Sequence, residues 1–205
     1  MRSAFSCVLL LCVVATAHSQ VPETGPYSVA ISNWRIGAMI GLGMRVGDLA
    51  EYEADAAHDL LTQLSFDVGY YVTDAASIGI VFAPATLPLP EGLDWETAES
   101  SWFTAHFFGV RTTTTFGPPS RFKPYMVLEG GMYSIDFEVD SESVYSETPF
   151  GANAGLGFSA MCTAGRPKIA VMGELDLHVA FAEEWALSEG PPMWISGTVG
   201  VGWFF

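Results

Sequence analysis

Large apolar residues alternate with small or polar ones from Trp34 to Phe205, and after residue 20 no apolar run is long enough to cross a membrane as a helix. In WRIGAMIGLGMRVG, Trp34, Ile36, Ala38, Ile40, Leu42, Met44 and Val46 share one side, and Arg35, Gly37, Met39, Gly41, Gly43, Arg45 and Gly47 share the other. A helix would scatter both sets around its circumference, whereas a pleated strand keeps them apart. The pattern recurs. Leu64, Phe66, Val68, Tyr70 and Val72 oppose Gln63, Ser65, Asp67, Gly69 and Tyr71; near 76–84, Ile78, Ile80 and Phe82 oppose Ser77, Gly79 and Ala83. A fourth strand, about 101–116, sets Trp102, Phe108, Val110 and Phe116 against Gly109 and Arg111. Phe150, Ala152, Ala154, Leu156 and Phe158 oppose Gly151, Asn153, Gly155, Gly157 and Ser159. Val171, Leu175, Leu177, Val179 and Phe181 oppose Glu174, Asp176 and His178, and Ile195, Val199, Val201, Trp203 and Phe205 oppose Ser196, Thr198, Gly200 and Gly202.

The segment 122–139 resists this scheme. Ile135, Phe137 and Val139 alternate with Ser134, Asp136 and Glu138, and carrying that frame back puts Glu129 on the apolar side. A bulge at Gly130-Gly131 would restore Glu129 to the polar side, and the sequence predicts one.

Connections alternate between short and long. The short ones are Thr73-Asp74-Ala75, 117–124 and 164–168; the long ones are 48–59, 88–100, roughly 136–147 and 183–192. The long ones carry Asp48, Glu51, Glu53, Asp55, Asp59, Glu91, Asp94, Glu96, Glu99, Asp136, Glu138, Asp140, Glu142, Glu147, Glu183, Glu184 and Glu189, without a lysine or arginine. The short ones carry Arg121, Lys123, Arg166 and Lys168. This is the hairpin order of an up-and-down barrel with tight periplasmic turns and acidic extracellular loops.

Composition fits that order. Half of the residues are hydrophobic and the mean hydropathy is +0.31, yet the formal charge is −15. Thinly spread apolar content is how a membrane barrel carries its hydrophobicity. Met1-Arg2 and AFSCVLLLCVVATA, followed by Ala15 and Ala17 or by Ala17 and Ser19, predict a cleaved signal peptide over 1–19. Residues 20–33 then read as a periplasmic lead-in and 34–205 as the barrel. Cys7 and Cys12 would leave with the signal, and Cys162, placed on the lipid face, has no disulfide partner.

Alternation alone does not say which face is outside. A soluble ligand-binding barrel points its apolar face inward. Here one face is bulky and greasy and the other is rich in glycine and serine, which suits a narrow lumen inside and lipid outside. Aromatics near strand ends, namely Trp34, Tyr70, Phe116, Tyr125, Trp203 and Phe205 with Trp102 and Phe181 at the far rim, suit interfacial girdles. In lipid every backbone amide needs a partner, so the sheet closes. The expected fold is all-β: an eight-stranded antiparallel up-and-down transmembrane β-barrel.

The C-terminal Thr198-x-Gly200-x-x-Trp203-x-Phe205 and, more weakly, YYVTDAASIGI and FKPYMVLEGGMY resemble the small outer-membrane β-barrel domain family, which includes the OmpX, OmpW and OmpA transmembrane barrels. The resemblance covers about 34–205. It implies residence in a Gram-negative outer membrane and insertion by the barrel-assembly machinery, with Thr198, Gly200, Trp203 and Phe205 as the assembly signal. It implies no biochemical activity.

Within the expected lumen, Glu174, Asp176 and His178 alternate on one strand. As a metal or proton-handling cluster they would need to converge; as a polar interior they would pair with Arg35, Arg45 and Arg111, joined by Asp67 and Glu129. The second reading is adopted, with no metal and no cofactor. Two alternatives remain: a porin-like solute pore and a lipid-A-modifying enzyme. The barrel deacylases carry His-x-Ser, but His178 is followed by Ala180 and His106 by Phe108; His58-Asp59 is the remaining acid–histidine pair in a loop. The expected role is therefore structural, interacting or narrowly conducting, without catalysis. Expected partners are outer-membrane lipid and lipopolysaccharide, the protein is expected to be a monomer, and its negative charge excludes nucleic acid.

Overall fold

The computed structural model describes residues 34–46, 60–73, 75–88, 101–117, 120–139, 142–163, 167–182 and 192–205. The expected signal peptide and lead-in lie outside the described residues, as do most of the long acidic connections. The described residues form nine strands: β1 (Trp34–Val46), β2 (Leu60–Tyr71), β3 (Ala76–Pro88), β4 (Ser101–Thr115), β5 (Phe122–Val139), β6 (Glu142–Glu147), β7 (Phe150–Met161), β8 (Lys168–Ala180) and β9 (Met193–Phe204). Neighbours pair antiparallel, β1 pairs with β9, and β4 pairs with β5, so the sheet closes.

Nine strands make eight staves, because β6 and β7 are one stave in two pieces. Phe122 pairs with Ala160 and Met132 with Phe150; the same register continues through Ile135–Glu147 to Phe137–Tyr145. Across the gap at Thr148-Pro149 the Tyr133 N–H still donates to the Pro149 carbonyl, at 2.8 Å.

Following paired residues around the wall from Arg35 leads through Gly69, Gly79, Arg111, Glu129, Asn153, His178 and Trp194 back to β1 at Arg45, ten residues above the start. A stagger of this kind tilts strands by roughly 35–45°. Each horizontal row of paired positions is therefore a rising spiral.

The alternation sorts the faces as expected on most strands. Ile40, Leu42, Met44, Ile80, Phe108, Leu156, Leu175 and Val199 are exposed on the outer wall, and Ser65, Asp67, Arg111, Asn153, Ser196 and Thr198 are buried inside. An apolar belt this continuous, on a closed sheet, is a lipid-facing surface. Cys162 is exposed.

Four expectations are corrected. No bulge occurs at Gly130-Gly131: β5 pairs without a shift from Tyr125 to Val139 against β4, and the one irregularity lies between Phe137 and Glu138 against β6. Glu129 faces inward without it, because Tyr133 and Ile135 also face inward while Ser134 and Glu138 are exposed. Ile135 lines the interior because this part of β5, with Ser134 and Glu138 exposed on its other side, turns its polar face to water.

For the same reason 136–147 is not an acidic loop. It is the top of a hairpin, with Val139 paired to Glu142. Tyr125 is not an interfacial aromatic but a buried lumen residue, and Lys123 and Lys168 are not turn residues but buried starts of β5 and β8.

The interior is also richer in large residues than expected. Leu61, Val81, Phe103, Phe107, Tyr133, Ile135 and Trp194, with small Ala83, Ala85, Ala105 and Ala180, form an apolar core in the outer half. Met39, Tyr125 and Met172, and separately Tyr71, Met161, Ala170 and Phe204, fill the inner half.

Candidate functional site

The spiral row that begins at Arg35 carries most of the lumen's polar chemistry, because its positions all face inward. Two of its members, Gly69 and Gly79, are bare, which leaves room for Arg35 to reach sideways to Asp67. The Arg35 Nε and Nη2 donate to Asp67 Oδ2 at 3.0 and 2.7 Å. The Asp67 carboxylate occupies the space that any side chain on Gly37 would need, so this ion pair depends on a glycine opposite it.

Arg111, buried, is the hub. Its Nη1 donates to Glu129 Oε1 at 2.9 Å, across the β4–β5 pair, and its Nη2 donates to Glu174 on β8 across the lumen. Tyr125 donates its phenolic hydrogen to the same Glu174 oxygen at 2.5 Å. From Glu129 the chain climbs. Asn153 Nδ2 donates to Glu129 Oε2 at 2.7 Å, and the Tyr133 hydroxyl donates to Asn153 Oδ1.

His178 completes the ascent: Nδ1 lies 3.2 Å from the Tyr133 oxygen and Nε2 lies 2.8 Å from Ser196 Oγ. Since Tyr133 gives its hydrogen to Asn153, its oxygen accepts from His178, which places the imidazole proton on Nδ1 and leaves Nε2 to accept from Ser196. The ring stacks on Trp194, with centroids 4.9 Å apart and planes 5° from parallel.

Of the residues expected to form a lumen charge network, Arg35 and Asp67 come together, as do Arg111, Glu129 and Glu174. His178 does not join the charges directly; it reaches them through Tyr133 and Asn153. Asp176 packs over Gly155 and forms no ion pair among the described residues. Arg45 stands opposite Trp194 in the β1–β9 ladder, but its side chain lies outside the described residues. Glu174, Asp176 and His178 thus part ways rather than converge, and among the described residues no group of three such side chains is arranged to hold a metal.

At the barrel's end, Thr198 faces inward while Trp203 and Phe205 face outward. Trp34 and Phe205 exchange backbone hydrogen bonds of 3.1 and 3.0 Å that seal the first strand to the last.

The sequence reading missed Tyr125, Tyr133, Asn153 and Trp194 as network members. Parity holds the signal for three of them, since Asn153 shares the inner face with Gly151 and Gly155, and Trp194 and Tyr125 have the inward parity of their strands. Tyr133 was lost with the misplaced frame of β5.

This arrangement braces the barrel from within. Tyr133, Phe107, Phe204, Leu61, Ile135, Met161, Met172, Val81 and Val127 are each less than 2% accessible. A water-filled channel would wet its lining. Among the described residues the interior is packed like a soluble protein's core, with a charged layer within it.

No family model and no curated protein matches the chain. Solved structures do. Neisserial surface protein A (NspA) superposes with a TM-score of 0.63 at 13% identity, over 84% of this chain and 97% of that one. Ail, the attachment invasion locus protein of Yersinia pestis, solved with the heparin analogue sucrose octasulfate, gives 0.50 at 12% identity, over 84% and 99%. At such identities the shared property is the architecture, and it agrees with the apolar belt and the closed sheet. In fold the protein is a small outer-membrane β-barrel, eight staves closed around a filled interior.

Proposed function

We propose that the protein is an integral, non-conducting barrel of a Gram-negative outer membrane that acts through contacts of its surface, as a structural or interaction protein, and not by transport or catalysis. The observation that carries this reading is the filled lumen: among the described residues, apolar side chains from many strands and a braced charge layer are buried inside the wall. Its partners are membrane lipid, including lipopolysaccharide, and whatever meets the acidic outer connections. Insertion proceeds through the barrel-assembly machinery, which reads Thr198, Gly200, Trp203 and Phe205, and the protein is a monomer without a cofactor. The purified barrel is expected to give no unitary conductance steps in planar bilayers. Steady steps whose size changes on Arg45→Ala would overturn the reading in favour of a pore.

One observation favours a second reading, the 2.8 Å approach of Ser196 Oγ to His178 Nε2, which is nucleophile-and-base geometry. Both residues are buried inside the barrel, however, and an acyl-chain substrate would lie outside its wall. Lipid A from cells expressing the protein is expected to be unmodified and unaffected by His178→Ala or His58→Ala. A modification lost with either substitution would reverse the assignment; His58 itself lies outside the described residues.

A further inference from the structure

Pro84 interrupts the wall between β2 and β3. The ladder joins Thr62 to Thr86 and Gln63 to Ala85, then resumes at Phe66 and Phe82; the pairs Leu64–Pro84 and Ser65–Ala83 are missing. Proline has no N–H to give. Losing both of these pairs, with the ladder intact on either side, identifies Leu64 and Pro84 as a pair that would exchange hydrogen bonds, so the Leu64 carbonyl faces a proline ring where its donor should be. Such a carbonyl within an apolar belt is strongly unfavourable unless something else donates to it.

The lipid side of this break is unusual for the belt. Leu64 and Phe82 are exposed there, as expected, but so is the His106 imidazole, and beyond it, where the belt gives way to water on β5, Ser134. His106 is paired with Pro84 on one side and with Ser134 on the other. Its ring meets Phe82 edge-on, 6.2 Å between centroids, and has no ion-pair partner among the described residues. One step up the same strands the outer face turns to Thr62, Thr86 and Thr104, so the break lies just inside the outer edge of the belt.

The chemistry of the missing partner follows from depth and polarity. Ester-linked glycerophospholipids offer acceptors near this depth, and an acceptor does nothing for a carbonyl. An acyl chain that is amide-linked or hydroxylated brings an N–H or O–H to the upper hydrocarbon. We propose that the break at Pro84 is a binding site for such a chain of the outer leaflet, whose donor pairs with the Leu64 carbonyl while His106 and Ser134 take its polar end. The site rests on the outer-membrane reading above and goes beyond it by placing a lipid contact, with a named donor and acceptor, at one break in the wall.

The test uses the full barrel in nanodiscs of phosphatidylcholine, with and without lipid A, and a carbon-13 label on the Leu64 carbonyl read by NMR. Lipid A is expected to move the Leu64 resonance downfield, saturably, and to raise the unfolding midpoint by about 2–4 °C. Pro84→Val returns an N–H to the ladder and should abolish both effects; His106→Leu should diminish the rise. A Leu64 resonance that lipid A leaves unmoved, as when water already occupies the site, would overturn the proposal, as would a full rise in Pro84→Val. Should that variant not fold, the wild-type resonance decides alone. Failure to enter either bilayer would overturn the membrane reading and the site together, whereas insertion with an unmoved Leu64 resonance overturns the site alone.

Discussion

Arg111→Ala is expected to destabilise the folded barrel by roughly 3–5 kcal/mol, the usual consequence of removing one partner from a buried ion pair. The reason lies in what stays behind. Glu129 and Glu174 are both buried, and both are neutralised by this one guanidinium, held at 2.9 Å from Glu129 and in direct contact with Glu174. Without it two carboxylates from different sides of the lumen face each other in a low-dielectric interior. The loss is therefore largely a penalty of unpaired charge, which a second experiment separates from lost packing. Arg111→Met combined with Glu129→Gln and Glu174→Gln removes the charges together and should recover most of the deficit. Reversible urea unfolding in lipid vesicles measures both. A single variant within about 1 kcal/mol of wild type would mean that Arg111 is not the hub that holds β4, β5 and β8 together.

Tyr133→Ala should cost about 3–5 kcal/mol for a different reason, a cavity in a packed core. The ring is fully buried against Phe107, at 4.8 Å between centroids, and against Trp194, at 5.1 Å. It also packs over Gly151, where any side chain would collide with it. Its hydroxyl joins His178 to Asn153, so Tyr133→Phe keeps the volume and breaks the chain of hydrogen bonds, leaving Asn153 Oδ1 and the His178 Nδ1–H unpaired. That variant should lose about 1–3 kcal/mol. Equal losses for the two substitutions would assign the whole effect to the hydroxyl and none to packing.

What the sequence made legible follows from parity. Along β1, β2, β7, β8 and β9 the face of every residue is set by odd or even position, and the apolar set faces lipid because lipid surrounds the strand along its length. Parity is blind to the place where the surroundings change. On β5 the outer face is apolar up to Met132 and polar from Ser134, while the inner face changes from Glu129 to Tyr133 and Ile135. Hydrophobicity swaps faces there although the backbone does not shift, because water replaces acyl chains outside and loses access inside. A rule that assigns apolar residues to the outside then has to invent a bulge. The same rule hid the lumen's core: Phe103, Phe107 and Trp194 are large and greasy, so size argued for lipid while position placed them inside. The sequence pattern ends the third strand near Pro84; β3 instead runs through it to Pro88 at the expense of a ladder hydrogen bond.

The staves are unequal in length. β5 has 18 residues and β4 has 15, against 13 in β1. At about 3.3 Å per residue and the tilt of the wall, the stretch of β5 beyond Met132 stands roughly 15–20 Å clear of the apolar belt. Among the described residues the strands therefore end at different heights, highest over β4 to β6. The upper backbone of β4 to β6 therefore keeps its ladder in water, where solvent competes for every hydrogen bond, unlike the same strands lower down among acyl chains.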